Sequence, residues 1–289
     1  MSAVSLQQTL ACPAVVYGFG YWSGADVRLE FRPAPVDSGI VFVRPDLGGH
    51  ARIAVRPEHR IDVPRRTNLR QNGAEAAMVE HVLATLAGLQ IDNCEVGVDQ
   101  AEMPGCDGSA AGFAEAILGS GIVAQNKPAR KFEVVRPVRI EHGNCWIEAS
   151  PNRQGRLCIE YRLDYPHDLA IGRQTASIHV TPESFFRELA PCRTFLRIRE
   201  AEELRAQGLG LRVTPRDLLL FDDERPVQNK LRFPNECARH KALDVLGDLA
   251  LMGRRIVGNF VAYRSGHRLN AELAARLLQT ESVRHRAIA

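Results

Sequence analysis

The stretch Arg239-His-Lys-Ala-Leu-Asp-Val-Leu-Gly-Asp-Leu249 constrains this chain more than any other. Leu243, Leu246 and Leu249 recur every three residues, with Ala242 and Ala250 beside them, and give the apolar stripe of an amphipathic helix. His240 and Asp244 are four apart, so on that helix their side chains stack one turn above the other and can converge on one point. Alone, such a pair is most often a solvated contact contributing a few tenths of a kcal/mol, roughly. A catalytic divalent metal asks for a third protein ligand and one open position, so the fold must bring another ligand to this helix from elsewhere.

The best source is Ala77–Gln90, where apolar residues at 79, 82, 83, 86, 87 and 89 predict a second helix with a buried face. Glu80 and His81 stand side by side near its beginning, about 100° apart around the axis. Shifting the chain by 160 residues lays Leu83, Leu86 and Leu89 over Leu243, Leu246 and Leu249, and Glu80 over His240. Strand-like runs precede each leucine helix: Val27–Phe31 and Gly39–Arg44 in the first half, Phe132–His179 in the second. Asp107–Leu118 predicts a helix that Asp107 or Ser109 can cap. Polar Gln125–Lys131 reads as a linker, dividing an N-terminal α+β domain, 1–126, from a C-terminal one, 127–289. In the second half, helices are expected at Pro182–Leu189 and Asn270–Gln279, an irregular region between Leu189 and the Asp244 helix, and a strand at Ile256–Tyr263. The pattern is that of a duplicated α+β unit whose halves, packed face to face, bring both polar helix beginnings into one cleft.

Composition excludes several other classes. With 45% hydrophobic and 25% charged residues over 289 positions, the chain can bury two cores. The net charge of +3 comes from dispersed arginines, so no nucleic-acid footprint is expected. Seven scattered cysteines without a C-x-x-C pair suggest neither a disulfide framework nor a thiolate metal site, and fit a reducing cytoplasm. No apolar run of membrane-spanning length occurs and the N-terminus lacks the pattern of an export signal, so a soluble protein without stable membrane insertion is expected.

In the expected cleft, His81, His240 and Asp244 offer two imidazoles and a carboxylate, a set that suits one zinc ion and also accepts iron or cobalt. Glu80 is then a candidate general base. His267, in a Gly-flanked turn, can supply a proton, and Asp248, one helical turn beyond Asp244, can hold that imidazole charged. Thr194 can place a hydroxyl near a reacting carbonyl, and Lys241 can meet a phosphate. Taken singly, each of these reads as a solvated side chain or a cap.

These residues resemble, in chain order, the zinc-dependent UDP-3-O-acyl-N-acetylglucosamine deacetylase family of lipid A biosynthesis. The likeness is carried by Arg32-Pro-Ala-Pro35, Val79–Leu89, Ile91-Asp-Asn93, Asp107-Gly-Ser-Ala110, Arg193-Thr-Phe195, Arg239–Leu249 and Tyr263–Asn270. It implies two domains, each a sheet with two helices, stacked as a β-α-α-β sandwich with the active site at their interface. It implies His81, His240 and Asp244 as zinc ligands, Glu80 as base, and His267 as acid or electrostatic partner assisted by Asp248. Thr194 matches an oxyanion-stabilising hydroxyl, Lys241 a lysine near the nucleotide phosphates of a UDP-amino-sugar substrate, Phe195 an aromatic near the substrate, and Asp107 an aspartate close to the catalytic centre.

This chain departs from the family pattern in four places: Trp22 stands where the first Gly-rich turn has a histidine, and the segment between Thr67 and Val79 is shorter than usual. Leu196-Arg197 replaces Gly-Phe and Arg212-Val213-Thr214 replaces Gly-Gly-Ser, in the two regions that in the family shape the acyl-chain passage. Leu196, Arg197 and Arg212 are therefore expected to contact the substrate and to narrow the passage, with charge where desolvation is unfavourable. Two alternatives follow: a deacetylase of another N-acetylated sugar with a short acyl chain or none, and a catalytically silent sugar-nucleotide-binding homologue.

Overall fold

Alternating apolar and polar residues become strands that each bury one face. In the computed structural model, which describes residues 5–48 and 51–288 with side chains as far as Thr280, the first half holds β1 (Leu6–Leu10), β2 (Ala14–Phe19), β3 (Asp26–Pro33), β4 (Ile40–Arg44), β5 (Ala51–Ala54), β6 (Arg60–Ile61), β7 (Asn68–Gln71), β8 (Ala74–Ala76), β9 (Cys94–Val98) and β10 (Ile122–Pro128). Val27, Leu29 and Phe31 of β3 point inward while Asp26, Arg28 and Glu30 do not. The second half holds β11 (Lys131–Glu133), β12 (Val138–His142), β13 (Cys145–Ser150), β14 (Leu157–Asp164), β15 (Arg173–His179), β16 (Phe195–Arg197), β17 (Leu219–Phe221) and β18 (Arg255–Tyr263).

The main sheets share one plan. The first runs β2-β3-β9-β4-β5 and the second β12-β13-β18-β14-β15, with β11 added beside β18. In each, two hairpins are joined by a last strand inserted between them, antiparallel to one neighbour and parallel to the other. Between the sheets lie α1 (Glu80–Gly88), α2 (Ala111–Ser120), a short α3 (Pro182–Ser184) continued by one wide turn to Leu189, α5 (Glu236–Leu249) and α6 (His267–Ile288), whereas α4 (Ile198–Ala206) packs on β16 and β17. One contiguous buried cluster runs through both halves. No described helix is long and apolar enough to cross a membrane.

The meeting of α1 and α5 positions the site. Both are buried on nearly every side, as expected of helices covered by a sheet on one face and by each other on the next. A Cβ on Gly247 of α5 would lie 2.2 Å from the backbone oxygen of Glu80, so the head of α1 reaches α5 only because this residue is glycine.

Three expectations are corrected. Gln125–Pro128 is not a linker but the end of β10, paired with β1; its polar composition reflects a ribbon with exposed faces. The region between Leu189 and α5 is not irregular: β16 and β17 pair in parallel around α4, whose Ile198 and Ala201 face an apolar cluster of Tyr21, Met78, Val213, Leu218 and Leu220. Neither Asp107 nor Ser109 is the N-cap of α2; Ala110 holds that position, and the Ser109 hydroxyl accepts from the Ala111 amide at 3.2 Å.

Candidate active site

His81, on the first turn of α1, meets His240 and Asp244, one turn apart on α5. One ligand atom from each lies within 4.8 Å of the others, and all three residues are buried. Asp244 Oδ1 stands 3.8 Å from His81 Nε2 and 3.5 Å from His240 Nε2. The His240 Nδ1–H donates to the Cys192 carbonyl at 3.0 Å, which fixes the ring so that Nε2 carries its lone pair inward. Asp244 Oδ2 accepts from Lys241 Nζ at 2.8 Å, whereas Asp244 Oδ1 is buried with no hydrogen-bond partner among the described residues. An orphaned carboxylate oxygen between two imidazoles is an unfavourable arrangement unless a cation completes it. Two nitrogens and one oxygen of this kind fit a zinc-like ion with an open position.

Burial works on the charges here in opposite directions. It depresses His81 to about 3, with His240 adding to the effect, and lowers His240 as well, so both rings are neutral and fit to ligate. Against the same burial, Lys241 and the imidazoles hold Asp244 well below the usual carboxylate range. Asp244 in turn keeps Lys241 charged against its burial.

Beside the ligands, burial pushes Glu80 up to about 7, opposed by His267 and reinforced by Asp244. Its Oε2 accepts the Thr67 amide at 2.9 Å. His267 is the first residue of α6 rather than part of a turn. Its Nδ1–H donates to Asp248 Oδ2 at 3.0 Å, and against burial the Asp248 carboxylate raises the imidazole to about 9. Asn270 Nδ2 donates to the same oxygen at 2.9 Å, and Thr67 Oγ1 donates to Asp248 Oδ1 at 2.6 Å. The cleft therefore holds a carboxylate and an imidazole whose pKa values are pushed to different levels, the arrangement that acid–base chemistry uses.

A cavity of about 780 Å³ opens from these groups and is lined from both halves. Thr194 lines it, as do Phe195, set edge-on to the His240 ring at 6.5 Å, and Lys241. Tyr21, Trp22 and Met78 line it together with Leu196, Ala201, Leu204, Val213, Leu218 and Leu220 of the β16–α4–β17 segment, beside the charged Arg65, Glu200 and Arg205.

The two arginines expected in this passage are not in its lining. The Arg197 guanidinium turns back to Asp168 and Asp223, and that of Arg212 lies 4.4 Å over the Phe19 ring and pairs with Asp26 at 2.7 Å. Carboxylates outside the wall offer both groups what an apolar interior does not. Leu196 alone of the three faces the cavity. Asp107 does not line it either. It accepts from Arg232 at 2.7 Å and from the Ser109 hydroxyl at 2.6 Å, holding the turn whose Gly108 carbonyl accepts the Thr194 amide at 2.8 Å.

Thr67 and Asn270 were not among the residues expected to act. Asn270 lies three residues after His267, a helical spacing that places it on the same face; Thr67 carries no comparable signal, because its partners are 13 and 181 residues away.

A sequence model described as UDP-3-O-acyl N-acetylglycosamine deacetylase matches residues 7–279. The chain is 41% identical over 272 residues, 93% of its length and 87% of the relative's, to a UDP-3-O-acyl-N-acetylglucosamine deacetylase of Oleidesulfovibrio alaskensis. Proteins of the same description from Nitratidesulfovibrio vulgaris and Acidithiobacillus ferrooxidans are 41% and 38% identical, over 93% and 90% of this chain and 85% and 86% of their own.

Proposed function

The chain belongs to the UDP-3-O-acyl-N-acetylglucosamine deacetylase family, and from that membership and the geometry of the cleft we propose that it is a zinc-dependent amide hydrolase. It removes the N-acetyl group from UDP-3-O-acyl-N-acetylglucosamine as acetate, a step of lipid A biosynthesis. The observation that carries the metal is the partnerless Asp244 Oδ1, buried between two neutral imidazoles. His81, His240 and Asp244 would hold the ion, which when bound lowers the pKa of water and polarises an acyl oxygen.

This chain's own residues do the rest. Glu80, held by the Thr67 amide, takes the proton of the attacking water. His267, kept charged by Asp248, stabilises the developing negative charge and gives its proton to the leaving amine nitrogen. The Thr194 hydroxyl faces the same cavity, where it can donate to the oxygen on which charge develops. Lys241 serves the nucleotide phosphates while bracing Asp244. The leucine-rich wall, with the Arg197 and Arg212 charges turned out of it, supports a long acyl chain over the short-chain alternative. Seven free thiols support a cytoplasmic location.

The test is turnover of UDP-3-O-acyl-N-acetylglucosamine bearing a long acyl chain, with zinc-loaded wild type compared with Glu80→Ala. The expected result is robust release of acetate that falls by about 10²- to 10⁴-fold in the variant. A protein that binds one zinc per chain yet leaves this substrate intact overturns the assignment.

A further inference from the structure

We infer that Thr67 is a positioning residue that couples the proposed base to the proposed acid pair: its backbone N–H holds Glu80 and its hydroxyl holds Asp248, and through Asp248 it holds His267. The inference rests on the deacetylase reading above. Thr67 is fully buried and reaches across the seam between the two halves. Its amide donates to Glu80 Oε2 at 2.9 Å and its Oγ1 to Asp248 Oδ1 at 2.6 Å. In that bond the hydroxyl is the donor and the carboxylate oxygen the acceptor.

Asp248 is thereby held at both oxygens. His267 Nδ1 and Asn270 Nδ2 occupy Oδ2, at 3.0 and 2.9 Å, and among the described residues the Thr67 hydroxyl is the partner of Oδ1. The backbone of Thr67 is anchored as well. Its carbonyl accepts the Val79 amide at 3.0 Å, and the next side chain, Asn68, accepts the Met78 amide at 3.1 Å. Met78 has φ of +60°, a left-handed turn that sets the head of α1 against this segment. One short segment thus fixes where α1 begins, where the Glu80 carboxylate points, and how the Asp248–His267 pair is oriented. A carboxylate that loses one of three donors in a buried site can rotate, and the imidazole it steers rotates with it.

Thr67→Val keeps the shape and the backbone N–H hydrogen bond to Glu80 and removes only the hydroxyl; Thr67→Ser returns it. With zinc-loaded protein and the long-chain substrate, Thr67→Val should lower kcat by about 10- to 100-fold. KM, zinc content and Tm should stay close to wild type, and Thr67→Ser should recover most of the rate. Unchanged kcat in Thr67→Val overturns the inference. So does an equal loss in both variants accompanied by lower Tm or lost zinc, which marks a merely structural threonine. Should the wild type itself fail to turn over the substrate, the deacetylase reading falls, and the positioning role is decided by the crystal structure of Thr67→Val. A His267 ring rotated off Asp248 supports it; an unmoved ring overturns it.

Discussion

Glu80 and His267 share one buried cleft but sit at about 7 and about 9, because Glu80 is raised chiefly by desolvation while Asp248 outweighs the desolvation of His267. Their signs set the pH dependence. In the proposed reaction Glu80 must be ionised to accept a proton, so activity is expected to be lost as pH falls through its pKa; His267 must be protonated to give one, so activity is expected to be lost as pH rises through about 9. A cation on the neighbouring ligands favours the Glu80 carboxylate and moves the acid limb below about 7. The expected kcat/KM profile is a bell with its alkaline limb near 9, and His267→Gln should abolish that limb along with most of the rate. An alkaline limb that survives the substitution unchanged would show that another group titrates there. The candidate ligand pair was legible at this scale because His240 and Asp244 are four apart on a leucine-striped helix. The directions of Arg197 and Arg212 were not: Arg197 pairs with Asp168, 29 residues away, and Arg212 with Asp26, 186 residues away.

Among the described residues, helices α1 and α5 supply the candidate metal-ligating cluster, and their separation is set by Gly247. In Gly247→Ala the new Cβ, 2.2 Å from the Glu80 carbonyl, must push the head of α1 away, carrying Glu80 and His81 with it. Overpacking of this kind costs roughly 1–3 kcal/mol, and displacing catalytic groups by about 1 Å reduces rate by about 10²-fold. A chemical denaturation curve and a kcat measurement check both parts; wild-type stability with wild-type kcat would mean that the helices are not locked at this point. The apolar period revealed both helices, and alternation revealed most strands. The inserted segment escaped notice because its strands β16 and β17 have only three residues each and pair with one another across α4.

On the scale of the whole molecule, the candidate metal-binding set is a joint between halves, with His81 from the first and His240 and Asp244 from the second. Binding an ion at a joint stabilises only the assembled state, by about 2.7 kcal/mol when free metal exceeds Kd a hundredfold. Stripping the metal with a chelator should therefore abolish activity and lower Tm by several degrees, and zinc should restore both; an unchanged Tm would show that the ion does not tie the halves together. By itself the sequence determined the periodicities, the two polar-headed helices, the reducing composition and the ordered motifs, since all of these depend on residues close together in the chain. Tertiary structure alone decided that the last strand of each sheet inserts between two hairpins, that Arg197 and Arg212 turn away from the cavity, and that Thr67 reaches Asp248. Each of these joins residues far apart in sequence, and only packing chooses among the partners that local chemistry permits.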